Sequence, residues 1–292
     1  MGDPAGDGAL TRLVIPSGLN ATLVLLRHGE SLAITEERFQ GRLDTPLSPL
    51  GEDQARLAGE RLARPDRRPH IAVPATAPIE IAHSPLARTT GTAFAAERAL
   101  RAVHGAAVPT ARPEVGLLEV GQGAWEGLHR ADVEARFGAE LEAWRQAPNQ
   151  HQAPGGERLV EVDRRVRAAL PGIIDRLSAS GQSTEAARTS AAGYPPPSSS
   201  PAWSLLVAHD GVFKVVLLAL LDLPLERFWS FAFGLTGITI VGIHDGAVVL
   251  RAHNLMDHLG PLQDAGAADG PTTDQGTSGA LEPTPAKPRP RD

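Results

Sequence analysis

The 292-residue chain contains no cysteine, which excludes disulfide bridges, thiolate metal sites and catalysis by a cysteine nucleophile. Lysine is almost missing: it stands only at Lys214 and Lys287. Nearly all basic charge is therefore guanidinium, and a single arginine carries little information by itself. The net charge of -6 leaves the chain without the basic field that nucleic acids and anionic membrane surfaces require. Any anion it binds has to be held by local arginines. No apolar run reaches the roughly 18 to 20 residues of a membrane span, and residues 1–20 lack the basic start and apolar core of a secretion signal. These absences predict a soluble, cytoplasmic protein with no nucleic-acid and no membrane partner.

What is present suffices for one full core, since 42% of the residues are hydrophobic. Composition predicts a flexible N-terminal extension over 1–20, in which only Leu13-Val14-Ile15 could add a short strand, and a folded domain over 21–260. It also predicts a mobile Ser/Pro-rich insertion at 178–201 and a disordered tail over 261–292, both too poor in apolar residues to offset the entropy of ordering. Hydrophobic patterning places strands at 21–27, 79–83, 203–208, 236–243 and 247–252. Helices are expected at 48–63, 85–103, 130–146, 157–177, 211–221 and 225–231. Ser48-Pro49 and Ser84-Pro85 each read as an N-cap followed by proline at the first helical position, and Pro171-Gly172 should kink or end its helix. Such alternation predicts an α/β protein: a three-layer α/β/α sandwich with a mostly parallel central sheet and the C-terminal hairpin at one side.

The chemistry gathers at strand ends. The apolar run Leu23-Val24-Leu25-Leu26 stops abruptly at Arg27-His28-Gly29-Glu30-Ser31, and ligands of open α/β sheets bind beyond the carboxyl ends of the strands. His28 is thereby a nucleophile candidate. Ser84-Pro85-Leu86-Ala87-Arg88 follows the second strand, Glu119 lies in Leu117-Leu118-Glu119-Val120-Gly121, and His209-Asp210-Gly211 follows Leu205-Leu206-Val207-Ala208. If these segments share one crevice, the site holds two histidines, two arginines and a carboxyl group. That inventory suits phosphoryl transfer through histidine: an imidazole nitrogen attacks phosphorus, guanidinium groups neutralise the spreading charge, and a carboxylic acid protonates the leaving alkoxide.

Together these segments resemble the histidine phosphatase superfamily, also called phosphoglycerate mutase-like, in its branch of small cofactor-independent phosphatases. Besides those already quoted, the matching stretches are Gln40-Gly41-Arg42-Leu43-Asp44-Thr45-Pro46-Leu47-Ser48, Trp125-Glu126-Gly127, Pro154-Gly155-Gly156-Glu157 and the region from Asn254 to Leu259. The resemblance covers roughly residues 21 to 260. It implies that His28 is phosphorylated, that Arg27 and Arg88 clamp the phosphoryl group, that His209 hydrogen-bonds it and that Glu119 donates the proton. Gln40 and Gly41 would line the entrance on the leaving-group side, residues 128–153 would form part of the lid, and neither metal nor cofactor is needed. The implied partner is a small phosphorylated metabolite, with a homodimer suggested by family analogy.

Several departures from the family pattern leave alternatives open. Ala33-Ile34 stands where relatives often carry Trp-Asn, which removes a polar phosphate contact. Asp210 replaces the glycine that usually follows the second histidine, so Asp210 rivals Glu119 as the acid. Gly121 could loosen the placement of Glu119. Glu126 is read as structural beside Trp125, as are His253 and His258, whose spacing fits no common metal site. The leading functional reading is a phosphomonoester hydrolase; the alternatives are a phosphoglycerate mutase and a non-catalytic phosphate-binding scaffold.

Overall fold

A computed structural model describes residues 12–180 and 202–262. Its centre is a six-stranded sheet made of β1 (Ala21–Arg27), β2 (Glu80–His83), β3 (Arg112–Pro113), β4 (Trp203–Ala208), β5 (Ile238–His244) and β6 (Ala247–Leu255), in the order β3-β2-β4-β1-β5-β6. The pairs β1·β4, β2·β4 and β2·β3 are parallel, whereas β5 and β6 add antiparallel to the side of β1. This is the expected mostly parallel sheet with its C-terminal hairpin at one side.

Strand β1 is buried along its whole length because helices cover both faces of the sheet. Its side chains alternate between two cores. Leu23 and Leu25 join the helices α5 (Leu159–Ser180) and α6 (Asp210–Leu220). Val24 and Leu26 join α2 (Pro49–Ala63) and α3 (Ala87–His104). A strand packed on two sides loses about 2 to 5 kcal/mol for each leucine cut back to alanine. Smaller elements complete the fold: α1 (Leu32–Thr35), α4 (Arg130–Gln146), and a third apolar cluster of Trp125, Val133, Leu141 and Ala153 around α4.

The register explains how distant segments converge. Arg27 lies beside Ala208, and Val207 lies beside His83. The chain therefore leaves three adjacent parallel strands at the same edge. His28 N donates to Ala208 O at 3.0 Å and Ser84 N to Val207 O at 3.0 Å, so His28, Ser84 and His209 emerge together.

Several expectations need correction. Ser48 is indeed an N-cap, accepting from Gly51 N with Pro49 just inside the helix. Ser84 is not: α3 starts at Ala87 with Leu86 as its cap, and the Ser84 hydroxyl serves the site instead. Pro171 does not end its helix, since α5 continues to Ser180. Leu170, Ile173, Ile174 and Leu177 are all buried in one core, and that shared packing outweighs the hydrogen bond the proline cannot make. The stretch expected as a helix at 225–231 is a 3-10 helix, Leu225–Ser230. Leu13 and Ile15 pack on the core without forming a strand. Strand β3, two residues long, and helix α1, four residues long, were not anticipated. Of the expected insertion only 178–180 is described, as the end of α5, and the predicted tail beyond residue 262 lies outside the described residues.

Candidate active site

His28 sits just past β1, 3% exposed. Its Nδ1 lies 2.7 Å from Gly29 O, an acceptor only, so Nδ1 carries the proton and Nε2 keeps its lone pair. Burial, and then the charges of Arg88 and Arg27, push the imidazole pKa well below its usual 6.5. The ring is therefore neutral, with a nucleophilic nitrogen available. The turn that holds it is tight: a Cβ on Gly29 would meet Gly51 O at 2.4 Å, so the first motif docks directly on the backbone of α2.

Two buried guanidinium groups face this histidine. Arg88 donates to Leu43 O and Gly41 O, both at 2.8 Å, and through Nε to His209 Nδ1 at 3.3 Å. Arg27 donates to Phe233 O, while its Nε has no partner. Among the described residues neither forms an ion pair, although both are almost fully buried. Burial lowers the Arg88 pKa to about 10. A buried cation without a counter-ion is costly, and a dianion in the adjoining cavity would compensate both.

His209 is fully buried, its ring 5.0 Å from that of His28 and edge-on at 64°. Nδ1 accepts from Arg88, so Nε2 is the protonated nitrogen and donates to Ser84 Oγ at 2.8 Å. Both nitrogens are thus engaged within the protein. Nδ1 of His209 thereby contacts the guanidinium that faces His28. The sequence signal for the third member was Ser84, which directly follows a strand.

Glu119 and Asp210 separate clearly. The Glu119 carboxylate caps α6: Oε1 accepts from Val120 N and Val212 N at 2.9 Å, and Oε2 from Gly211 N at 3.2 Å. Burial raises its pKa above the usual range, the nearby Asp210 charge adds to this, and the N–H donors of Val120 and Gly211 together with Arg88 oppose it. A Cβ on Gly211 would lie 2.7 Å from Glu119 Oε1, so the glycine leaves the room that the carboxyl occupies. Asp210 is committed elsewhere: Oδ2 pairs with buried Lys214 Nζ at 2.6 Å and Oδ1 accepts from Phe233 N. The charge of Asp210 is thus answered by a cation, whereas Glu119 has no ion pair among the described residues. Lys214, one of the two lysines and buried in an apolar helix, also rests over the rings of Phe228 and Trp229 at 5.2 and 4.8 Å.

Gly121 does not loosen Glu119. Arg42 Nε and Arg165 Nη2 both donate to the Glu119 carbonyl, at 3.2 and 3.1 Å, and both guanidinium groups pair with Glu157. Glu157 N and Gly121 O close the strap at 2.8 Å. The Pro154-Gly155-Gly156-Glu157 motif thus fastens the segment that carries the acid. Gln40 accepts from Ser31 Oγ at 2.7 Å, which leaves its amide N–H groups for the cavity. Gly41 has φ +47°, and a Cβ there would collide with Glu126 Oε1. Glu126 is structural as read, accepting from Arg42 N and Gln122 N. Among the described residues no three metal-ligating side chains gather; His253 and His258 contact Thr239 and Thr236.

These groups line a cavity of about 410 Å³, with His28, Arg27, Arg88, Glu119 and Asp210 among its walls. Gln40, Gly41 and Ile34 reach it as well, as does Arg130 of α4, within the expected 128–153 segment. His209 lies behind this lining.

Comparison with known proteins agrees with this geometry. The sequence model of the histidine phosphatase superfamily (branch 1) matches residues 23–183 and 185–256. Phosphoserine phosphatase 1 of Hydrogenobacter thermophilus is 26% identical over 243 residues, which cover 82% of this chain and 94% of that protein. Glucosyl-3-phosphoglycerate phosphatase of Mycolicibacterium vanbaalenii is 32% identical over 208 residues, covering 70% and 76%. Among solved structures, a mycobacterial glucosyl-3-phosphoglycerate phosphatase complexed with VO3 superposes with a TM-score of 0.61 at 30% identity, covering 80% of this chain and 98% of that one.

Proposed function

The chain belongs to the histidine phosphatase superfamily, and from that premise we propose that it hydrolyses phosphomonoesters of small metabolites through a phosphohistidine on His28, with Glu119 as proton donor. The observation that carries this reading is the pairing of an unprotonated His28 Nε2 with two buried guanidinium groups that have no counter-ion.

The chemistry follows in two displacements. A phosphomonoester dianion seats its oxygens against Arg27 and Arg88, and Nε2 of His28 attacks phosphorus from the side opposite the leaving oxygen. Charge spreads over the equatorial oxygens, where fixed guanidinium groups stabilise it without reorganising. As the P–O bond breaks, Glu119 gives its proton to the departing alkoxide, and the alcohol leaves. Glu119, now a carboxylate held by three N–H donors, takes a proton from water as the water oxygen attacks the phosphohistidine. Inorganic phosphate forms, His28 is again neutral and Glu119 again protonated. His209 acts behind this exchange by fixing Arg88.

The test is trapping of the intermediate. Alkaline quenching after mixing with a ³²P-labelled phosphomonoester is expected to leave label on the wild-type chain and none on His28→Ala, which should also release no phosphate. Equal labelling of the variant would sink the assignment. With 3-phosphoglycerate, liberation of inorganic phosphate supports hydrolysis, and conversion to 2-phosphoglycerate in its place would establish a mutase.

A further inference from the structure

The cavity extends well past the phosphoryl site, and its outer half is aromatic. Only 4% of the chain is Phe, Trp or Tyr, yet Phe39, Trp144, Phe228 and Trp229 all line this one space. Their rings form a continuous edge-to-face array. Trp144 meets Trp229 at 4.9 Å and 87°, and Trp125 underlies both Trp144 at 6.1 Å and Phe39 at 5.6 Å. Helix α4 supplies Trp144 and the 3-10 helix after Pro224 supplies Phe228 and Trp229, so two segments remote in sequence build one wall. Interlocked rings of this kind keep their faces fixed and present apolar area at little entropic cost.

The cations of the outer rim already have carboxylate partners. Arg38 pairs with Glu36 at 2.7 Å and also donates to Gly127 O. Arg130 pairs with Glu134 at 3.0 Å, and Asp210 with Lys214. Of the four arginines that line the cavity, the two without an ion pair among the described residues, Arg27 and Arg88, are those at the phosphoryl end. The outer half thus offers an apolar face bordered by polar groups and no surplus cation for a second anionic substituent.

We propose that this outer half is a subsite for an uncharged, ring-bearing alcohol, so that the substrate is a phosphomonoester whose leaving group lays a six-membered ring on the Trp144–Trp229 wall. A pyranose, through its C–H face, and a benzene ring share that chemistry. The inference rests on the phosphatase reading, and its test keeps the two apart.

The test compares kcat/KM for five phosphate monoesters of primary alcohols: benzyl phosphate, glucose 6-phosphate, glycerol 3-phosphate, phosphoserine and 3-phosphoglycerate. Using primary alcohols holds leaving-group chemistry nearly constant, so differences report binding. At least one of the two ring compounds is expected to exceed glycerol 3-phosphate and both carboxylated esters by about tenfold or more. Which of the two leads identifies the ring as aromatic or carbohydrate. Trp144→Ala is expected to erase that margin and Trp144→Phe to retain most of it, with turnover of glycerol 3-phosphate, whose leaving group has no ring, confirming that each variant is folded. If Trp144→Ala does not fold, Trp229→Ala serves the same comparison. A preference for phosphoserine or 3-phosphoglycerate, no preference at all, or a margin that survives loss of either tryptophan overturns the proposal while leaving the phosphatase reading intact. Absence of turnover with every ester, p-nitrophenyl phosphate included, brings down both.

Discussion

Arg88 Nε faces His209 Nδ1 at 3.3 Å, and this contact makes one imidazole the orienting group of the guanidinium that confronts the other. With its remaining donors fixed on Leu43 O and Gly41 O, Arg88 is immobilised by neutral acceptors alone. Its charge is left for a ligand.

Binding of a phosphate analogue should therefore stabilise the protein strongly. Saturating vanadate or phosphate, at about a hundred times Kd, adds about 2.7 kcal/mol, which for a domain of this size raises Tm by roughly 5 to 10 °C. Arg88→Met is expected to lose most of that shift, read by differential scanning fluorimetry, and to lower kcat/KM at least about a hundredfold. An undiminished shift in the variant would show that the anion binds elsewhere.

The acid should reveal itself through the leaving group. Glu119→Gln is expected to lower kcat on glycerol 3-phosphate by about 10² or more, while p-nitrophenyl phosphate, whose leaving group scarcely needs a proton, loses far less. Glu119 donates only when protonated, so turnover of alkyl phosphates falls as pH rises through its elevated pKa. Glu119→Gln should lack that alkaline limb. Asp210→Asn removes a charge that raises the pKa and frees Lys214, so the limb should move to lower pH. A selective loss on alkyl phosphates in Asp210→Asn, with Glu119→Gln unaffected, would transfer the role to Asp210.

Glu157 should act on the acid at one remove. Glu157→Ala releases Arg42 and Arg165, which hold the Glu119 carbonyl, and small misplacement of a catalytic group is costly. The expected result is a kcat on glycerol 3-phosphate about tenfold lower, with KM little changed and p-nitrophenyl phosphate largely spared. Glu157→Gln, which keeps an acceptor, should fall between. Equal losses on both substrates would mean that Glu157 supports the fold alone.

Much of this site is legible in the chain because its groups sit one residue beyond buried strands: apolar runs ending in Arg27-His28, in Ser84 and in His209 announce both the strand and the chemistry. Glu119 was harder, since it follows a short 3-10 turn, and what holds it, the Gly211 and Val212 amides, is visible only once α6 is placed. Ser84-Pro85 misled because a serine before proline signals a helix start, whereas here the hydroxyl answers to a histidine 125 residues away. Pro171 does not end its helix because tertiary packing outweighs a local backbone rule. Two-residue β3 lies below the length at which alternation can be read. The tryptophan wall left no local trace, since Trp144 and Trp229 meet only in three dimensions.

The in-register pairing of β1 with β4 has an effect beyond architecture. Successive side chains of a strand point to opposite faces, so a slip of β4 by one position would exchange Leu205 and Leu206 between the two cores and carry His209 away from Arg88 in the same movement. Misassembled chains would then forfeit turnover and core packing together, and the specific activity of a preparation would double as a measure of how many molecules have aligned that strand correctly.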